Sequence, residues 1–197
     1  MDRLIEGYRR FRAEAWPAQR ARYQRLSIHG QKPQTLVIAC SDSRVDPSTV
    51  FGAGPGELFV VRNVAALIPR YRPDGGCHGA SAALEFAVRV LKVAQIVVLG
   101  HAQCGGVQAL VEGAPPEAQD FVAPWMAAAS AALRDAGDRD LEHYEGAVVR
   151  LSLENLMSFP WVADAVAEGR LSLHGCRFDI HDGVLSRLEN GRFIPIT

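Results

Sequence analysis

The sequence predicts an α/β fold, with a mainly parallel central sheet of about four to five strands flanked by helices and a helical arm at the amino terminus. Two observations carry this prediction. Short apolar runs, Thr35-Leu36-Val37-Ile38-Ala39, Leu58-Phe59-Val60-Val61 and Gln95-Ile96-Val97-Val98-Leu99, read as buried strands. They alternate with segments of helical periodicity, the pattern that gives parallel pairing through crossover helices. With 197 residues, 48 % apolar and 22 % charged, the chain has the size and composition of one compact domain, taken as 1–197 with 1–32 as the arm.

Residues 2–26 place Leu4, Tyr8, Phe11 and Ala15 at helical spacing. Pro17 lacks an amide donor and is expected to break this segment into two helices. The arm is rich in arginine, yet the formal net charge of the whole chain is −1. The basic residues therefore read as the solvated face of a helix packed on a partner subunit, not as a nucleic-acid arm. No apolar run is long enough to span a bilayer, and Met1-Asp2-Arg3-Leu4-Ile5-Glu6 lacks the layout of a secretory signal. A cytoplasmic protein without nucleic-acid or membrane partners is expected.

The first strand, about 35–40, runs into a loop at Cys40, and Asp46-Pro47-Ser48 starts a short helix. Gly52-Ala53-Gly54-Pro55-Gly56 precedes a strand instead of joining a strand to a helix, so it reads as a tight turn and not as a dinucleotide loop. Gly75-Gly76 leads into a helix over about 78–92, with Leu84, Ala87, Val88 and Leu91 on one face. The strand at about 95–99 delivers His101, and a helix begins near Cys104. A proline-rich loop over 113–124 precedes an alanine-rich helix at about 125–135. A longer helix at about 141–158 is halted by Pro160, and a short one follows at about 161–168. Leu171-Ser172-Leu173-His174 alternates as a strand, and Gly183-Val184-Leu185 suggests one more at the edge.

Two stretches that follow buried strands carry the chemistry: Cys40-Ser41-Asp42-Ser43-Arg44 and Gly100-His101-Ala102-Gln103-Cys104-Gly105-Gly106. Loops at the carboxyl ends of parallel strands can meet. Two thiolates and one imidazole form a donor set that suits Zn²⁺. Cys40 and Asp42 lie two apart, so an extended loop turns both to one side. His101 and Cys104, three apart, share one face of a helical turn. Cys40, His101 and Cys104 leave a fourth position that either water or Asp42 can fill. Arg44 can hold the Asp42 carboxylate in a charge-assisted pair and so compete with its coordination. Cys77 and Cys176 sit beside no other ligand type and read as ordinary buried thiols.

These motifs resemble the β-class carbonic anhydrases, which carry CxDxR followed about sixty residues later by HxxCGG. Gly30-Gln31-x-Pro33, Gly56 through Ala65, Ser152-x-x-Asn155-Leu156, Gly175 and Gly183 extend the resemblance over nearly the whole chain. Val37 and the run from Asn63 to Pro69 resemble the plant-type subgroup. The resemblance implies reversible hydration of carbon dioxide to bicarbonate by zinc-bound hydroxide. In this reading Cys40, His101 and Cys104 are ligands, and Asp42 with Arg44 is the switching dyad. Gln31, Phe59, Val64, Phe86 and Gly105 line the substrate pocket. It also implies a homodimer or dimer-based tetramer, with the arm embracing the partner and each active site at the subunit interface. Some bacterial members hold an inhibitory bicarbonate on a Trp, an Arg and a Tyr. Only the Arg is matched here, by Arg62, while Val37 and Phe178 stand at the other two positions, so no such site is expected. Carbon disulfide or carbonyl sulfide as substrate, a purely structural zinc, and a redox pair of Cys40 with Cys104 are the rival readings. The absence of a Cys-x-x-Cys motif argues against the last.

Overall fold

The computed structural model describes residues 1–133 and 140–197 and shows a six-stranded sheet in the order β2-β1-β3-β4-β5-β6 with helices packed around it. β1 (Thr35–Cys40), β2 (Leu58–Asn63), β3 (Gln95–His101) and β4 (Ser172–Phe178) pair in parallel. β1 sits between β2 and β3, with Leu36 through Ala39 fully buried, hence its unbroken apolar run.

The sheet is larger than the sequence reading because its carboxyl-terminal edge is a hairpin. β5 (Leu185–Glu189) and β6 (Arg192–Pro195) pair antiparallel. Asn190 and Gly191 turn the chain between them with φ of 48° and 80°. Asn-Gly between two short strands is a strong hairpin signal. β4 also continues past His174 to Phe178. Gly175 does not end it: a Cβ there would lie 3.0 Å from Leu153 and from Val149, so the glycine is where a helix lies against the sheet.

That helix is α7 (Leu141–Leu156). Pro160 opens the next helix, α8 (Pro160–Ala167), where its missing N–H is no loss. α3 (Pro47–Val50) is capped by the Asp46 carboxylate, which accepts the Thr49 amide. α4 (Gly79–Glu85) continues as a wide turn over Phe86–Leu91, and α5 (Gly105–Glu112) follows Cys104. α6 is short (Val122–Ala127), with a 3₁₀ turn over Ser130–Leu133; residues 134 and 135 of the expected alanine-rich helix lie outside the described residues.

The arm is one run and not two separate helices. α1 (Asp2–Arg10) passes through a π-helical stretch, Phe11–Ala15, into α2 (Trp16–His29). The Trp16 amide reaches back to the Phe11 carbonyl, and this wider turn accommodates the donor that Pro17 lacks. α2 is tied to its own chain: Arg22 donates to the Pro55 carbonyl at 2.7 Å and pairs with Glu57 at 2.7 Å. α1 has no buried residue, and Leu4 and Tyr8 are 73 % and 61 % exposed.

Candidate metal centre

β1 and β3 are neighbours in register, Ala39 beside Leu99, so the chain leaves the sheet at Cys40 and at His101 side by side. The connections run from β1 outward to β2 and from β3 to β4 on the other side. Open α/β sheets bind ligands beyond the strand ends at such a reversal. There the sulfurs of Cys40 and Cys104 and a ring nitrogen of His101 lie within 4.8 Å of one another, all three side chains buried. The sulfurs are 3.9 Å apart. That is far beyond a disulfide bond of about 2.05 Å. It is close to the edge of about 3.8 Å that a tetrahedron with metal–sulfur bonds of about 2.3 Å would give.

His101 fits the same purpose. Its Nδ1 donates to the Ala102 carbonyl at 2.8 Å, which leaves the lone pair on Nε2. Among the described residues, Nε2 is the buried side-chain polar atom that has no hydrogen-bond partner. An orphaned buried lone pair is costly, and a cation is the partner that two thiols and an imidazole would share. A hydrogen bond from Cys104 holds the Cys40 thiol well below the usual range, and the same bond together with burial holds Cys104 well above it. A bound divalent ion would replace the proton the pair shares.

Asp42 and Arg44 stand at the rim. Asp42 Oδ1 accepts from the Arg44 amide at 2.9 Å and from its Nε at 3.0 Å, and Oδ2 accepts from Nη2 at 2.7 Å. Hydrogen bonding to Arg44 keeps the Asp42 carboxyl far below the ordinary carboxylate range. Oδ2 lies 3.9 Å from His101 Nε2, so Asp42 borders the ligand cluster while held in the guanidinium fork. Arg62 braces this loop from below, donating to the carbonyls of Cys40 at 2.9 Å, Asp42 at 2.6 Å and Val45 at 3.1 Å. Arg62 is thus engaged by three carbonyls and by Asp46 at 3.5 Å, and Val37, at one of the two positions where a Trp-Arg-Tyr anion seat needs a polar ring, is fully buried in the core.

The other residues named from the resemblance fall into two groups. Val64 packs with Cys40 and Cys104 in one apolar cluster, and Gly105 faces open space where a Cβ would meet nothing within 4 Å. Gly106 is the position that permits close approach, since a Cβ there would sit 2.6 Å from Val64. Phe59 packs against a separate core cluster and stacks at 5.9 Å on Phe86, which is itself exposed. Phe59 pairs with Leu36 near the start of β1, whereas Asn63 pairs with Cys40 at its end. Gln31 lies in the exposed loop before β1, a six-residue strand away from Cys40. One chain therefore brings Val64 and Gly105 to the cluster and leaves Gln31, Phe59 and Phe86 at the opposite end of the sheet.

Cys176 is buried as expected, but Cys77 is exposed, because it sits in the surface loop before α4 and not in an element of the core. The segment carrying Val64 depends on groups that spacing alone does not reveal. Ala65 and Ala66 are left-handed, φ 65° and 52°. Ser152 accepts the Ile68 amide at 3.1 Å and donates to the Ala66 carbonyl at 3.2 Å, while Asn155 donates to the Ile68 carbonyl at 2.8 Å. A further buried carboxylate, Glu145 on α7, accepts the Cys104 amide at 3.2 Å. Its place four residues before Val149 and seven before Ser152, on the buried stripe of α7, is the sequence signal that would have found it.

Comparison with known proteins agrees with this geometry. The family described as carbonic anhydrase matches residues 35–185. A carbonic anhydrase of Pseudomonas aeruginosa is 40 % identical over 205 residues, covering 100 % of this chain and 92 % of that protein. The solved structure of the β-carbonic anhydrase CcaA superposes with a TM-score of 0.91 at 32 % identity, covering 100 % of this chain and 99 % of the other. One of two tetrameric β-carbonic anhydrases of Sordaria macrospora superposes with a TM-score of 0.74 at 29 % identity, covering 93 % and 96 %. With its sulfur–imidazole cluster at the sheet's reversal point and these relatives along its full length, the chain belongs to the β-class carbonic anhydrases, enzymes that hydrate carbon dioxide.

Proposed function

We propose that Cys40, His101 and Cys104 hold a zinc ion and that Asp42, set by Arg44, orients the water that attacks carbon dioxide. The orphaned, buried Nε2 of His101 beside two unbridged sulfurs is the observation that carries this reading. Zinc, when bound, supplies a Lewis acid that brings the pKa of a coordinated water down toward neutrality. Asp42 stays ionised because Arg44 holds it so, and it accepts the hydrogen bond that aims the water's lone pair. The charge-assisted pairing with Arg44 favours a site left open to water over one closed by Asp42.

Val64 supplies an apolar wall for a neutral linear substrate. The Gly105 amide, in the first turn of α5 where N–H groups lack intrahelical partners, would donate to the oxygen that gains charge. The remaining pocket residues, Gln31, Phe59 and Phe86, come from the partner subunit in this reading. Phe86 is 44 % exposed although it stacks on Phe59, and the apolar face of α1 is uncovered, so a homodimer, alone or paired into a tetramer, buries both. A reducing cytoplasm would keep both ligand thiols available to the metal.

The test is Arg44→Ala, with zinc content and stopped-flow carbon dioxide hydration measured on one sample. Zinc per chain should be kept while kcat falls about 10²-fold, since an orienting contact is lost and no ligand is. Wild-type turnover in this variant would refute the dyad's role.

A further inference from the structure

Neither the proposed ligand set nor the Asp42–Arg44 pair accounts for the buried carboxylate of Glu145. α7 reaches the ligand loop because β3 offers it a gap: a Cβ on Gly100 would meet Val149 at 2.5 Å. Glu145, one turn before Val149 and only 3 % exposed, is thereby carried to the segment joining β3 to α5. Its Oε1 accepts the Cys104 amide at 3.2 Å. Its Oε2 accepts Arg177 Nε at 3.1 Å and lies 3.0 Å from Nη2 in the ion pair, Arg177 lying on β4 beside Gly100. A carboxylate removed from water is tolerated only with such partners, and burial still pushes its pKa up against their pull.

The gripped segment is itself unusual. Gln103 is left-handed, φ 54°, a conformation a residue with a side chain keeps when its surroundings hold it. On its other side the Gln103 carbonyl accepts Arg44 Nη2 at 3.1 Å. One short stretch of backbone thus carries the Cys104 sulfur, binds Glu145 through the Cys104 amide and offers Arg44 its anchor at the Gln103 carbonyl. Capping α5 alone would need no charge pair drawn from a distant helix and strand.

We propose that Glu145, clamped by Arg177, is a positioning residue that sets the Gln103–Cys104 segment, and through it both the Cys104 sulfur and the Arg44 fork that holds Asp42. This rests on the roles proposed above for those residues. A neutral amide in place of Glu145 must turn either a donor toward Arg177 or a donor toward the Cys104 amide. With Glu145→Gln and Arg177→Gln combined, the two side-chain amides can pair and satisfy both ends again without charge.

The experiment compares wild type with Glu145→Gln, Arg177→Gln, the double variant and Glu142→Gln, which removes the nearer of two outer partners of Arg177, Glu142 at 3.1 Å, and leaves Asp179 at 4.0 Å. Cobalt(II) replaces zinc for visible absorption, and the zinc forms are assayed for hydration. Glu145→Gln should bind one cobalt per chain with shifted d–d bands, and its kcat should fall about tenfold with KM unchanged. The double variant should recover the wild-type bands and kcat to within about threefold, and Glu142→Gln should match wild type. If Glu145→Gln does not accumulate folded, Arg177→Gln carries the same readout, with a smaller shift in the same direction. Native bands in the single variants, or a loss that the double variant fails to recover, would overturn the proposal. A wild-type protein that binds cobalt but does not hydrate carbon dioxide would refute the proposed function instead, and the band comparison would still decide the role of Glu145.

Discussion

His101 shows how much one residue's surroundings can decide. One ring nitrogen is fixed by the Ala102 carbonyl and the other is left buried without a partner, so ring orientation and tautomer are set before any ion arrives. Asp42 makes a pH-dependent prediction. Its pKa is depressed in the folded chain, chiefly by hydrogen bonds from Arg44. The unfolded value is about 3.9. A depressed folded value means the pair's stabilisation is complete above the unfolded pKa and fades only as pH falls through the lower value. With zinc in excess, Asp42→Asn should lower the urea midpoint by the same margin at every pH from 8 to 5. A margin that narrows between pH 7 and pH 5 would contradict this. The residue types at Cys40, Asp42, Arg44, His101 and Cys104 are legible in the sequence because their chemistry is local and their spacing short. Glu145 lies on the apolar stripe of α7 and Ser152 in a motif of the family, but what each holds is not legible, since each acts on a loop more than forty residues away.

Among the elements, the long apolar runs read correctly because β1 and β3 are buried by neighbours on both sides. Two elements run longer than the sequence reading. The strand read as Leu171 to His174 runs on through Gly175 to Phe178, because α7 packs where that glycine has no side chain. Pro17 looks like a divider of the arm, and a π-helical turn absorbs it. The contact of α7 with the sheet can be tested directly. Gly100→Ala should destabilise the protein by about 1–3 kcal/mol, because its Cβ would meet Val149 at 2.5 Å. Val149→Ala vacates that space, so the double variant should lose clearly less than the sum of the two single losses in urea unfolding. Simple additivity would show that α7 is not seated on Gly100 as described.

At the level of the whole molecule, the chain holds Val64 and Gly105 at one end of the sheet and Gln31, Phe59 and Phe86 at the other, and the proposed dimer would bring the two groups together. Residue spacing carries no sign of it, because strand direction and subunit pairing decide which end of the sheet a residue occupies. The uncovered apolar face of α1, with Leu4 and Tyr8 exposed, is the surface the proposed dimer would cover. Replacing Leu4 and Tyr8 together by Glu should yield monomers in analytical ultracentrifugation and reduce hydration about tenfold or more while zinc is retained. Intact dimers with full activity would remove the arm from the interface. The Cys40–His101–Cys104 cluster remains the centre on which the rest depends, and zinc-edge X-ray absorption of the purified wild-type protein addresses its proposed role most directly. The account predicts one zinc per chain with two sulfur neighbours at about 2.3 Å and nitrogen or oxygen neighbours at about 2.0–2.1 Å. A shell without sulfur, or full hydration activity in protein free of metal, would contradict it.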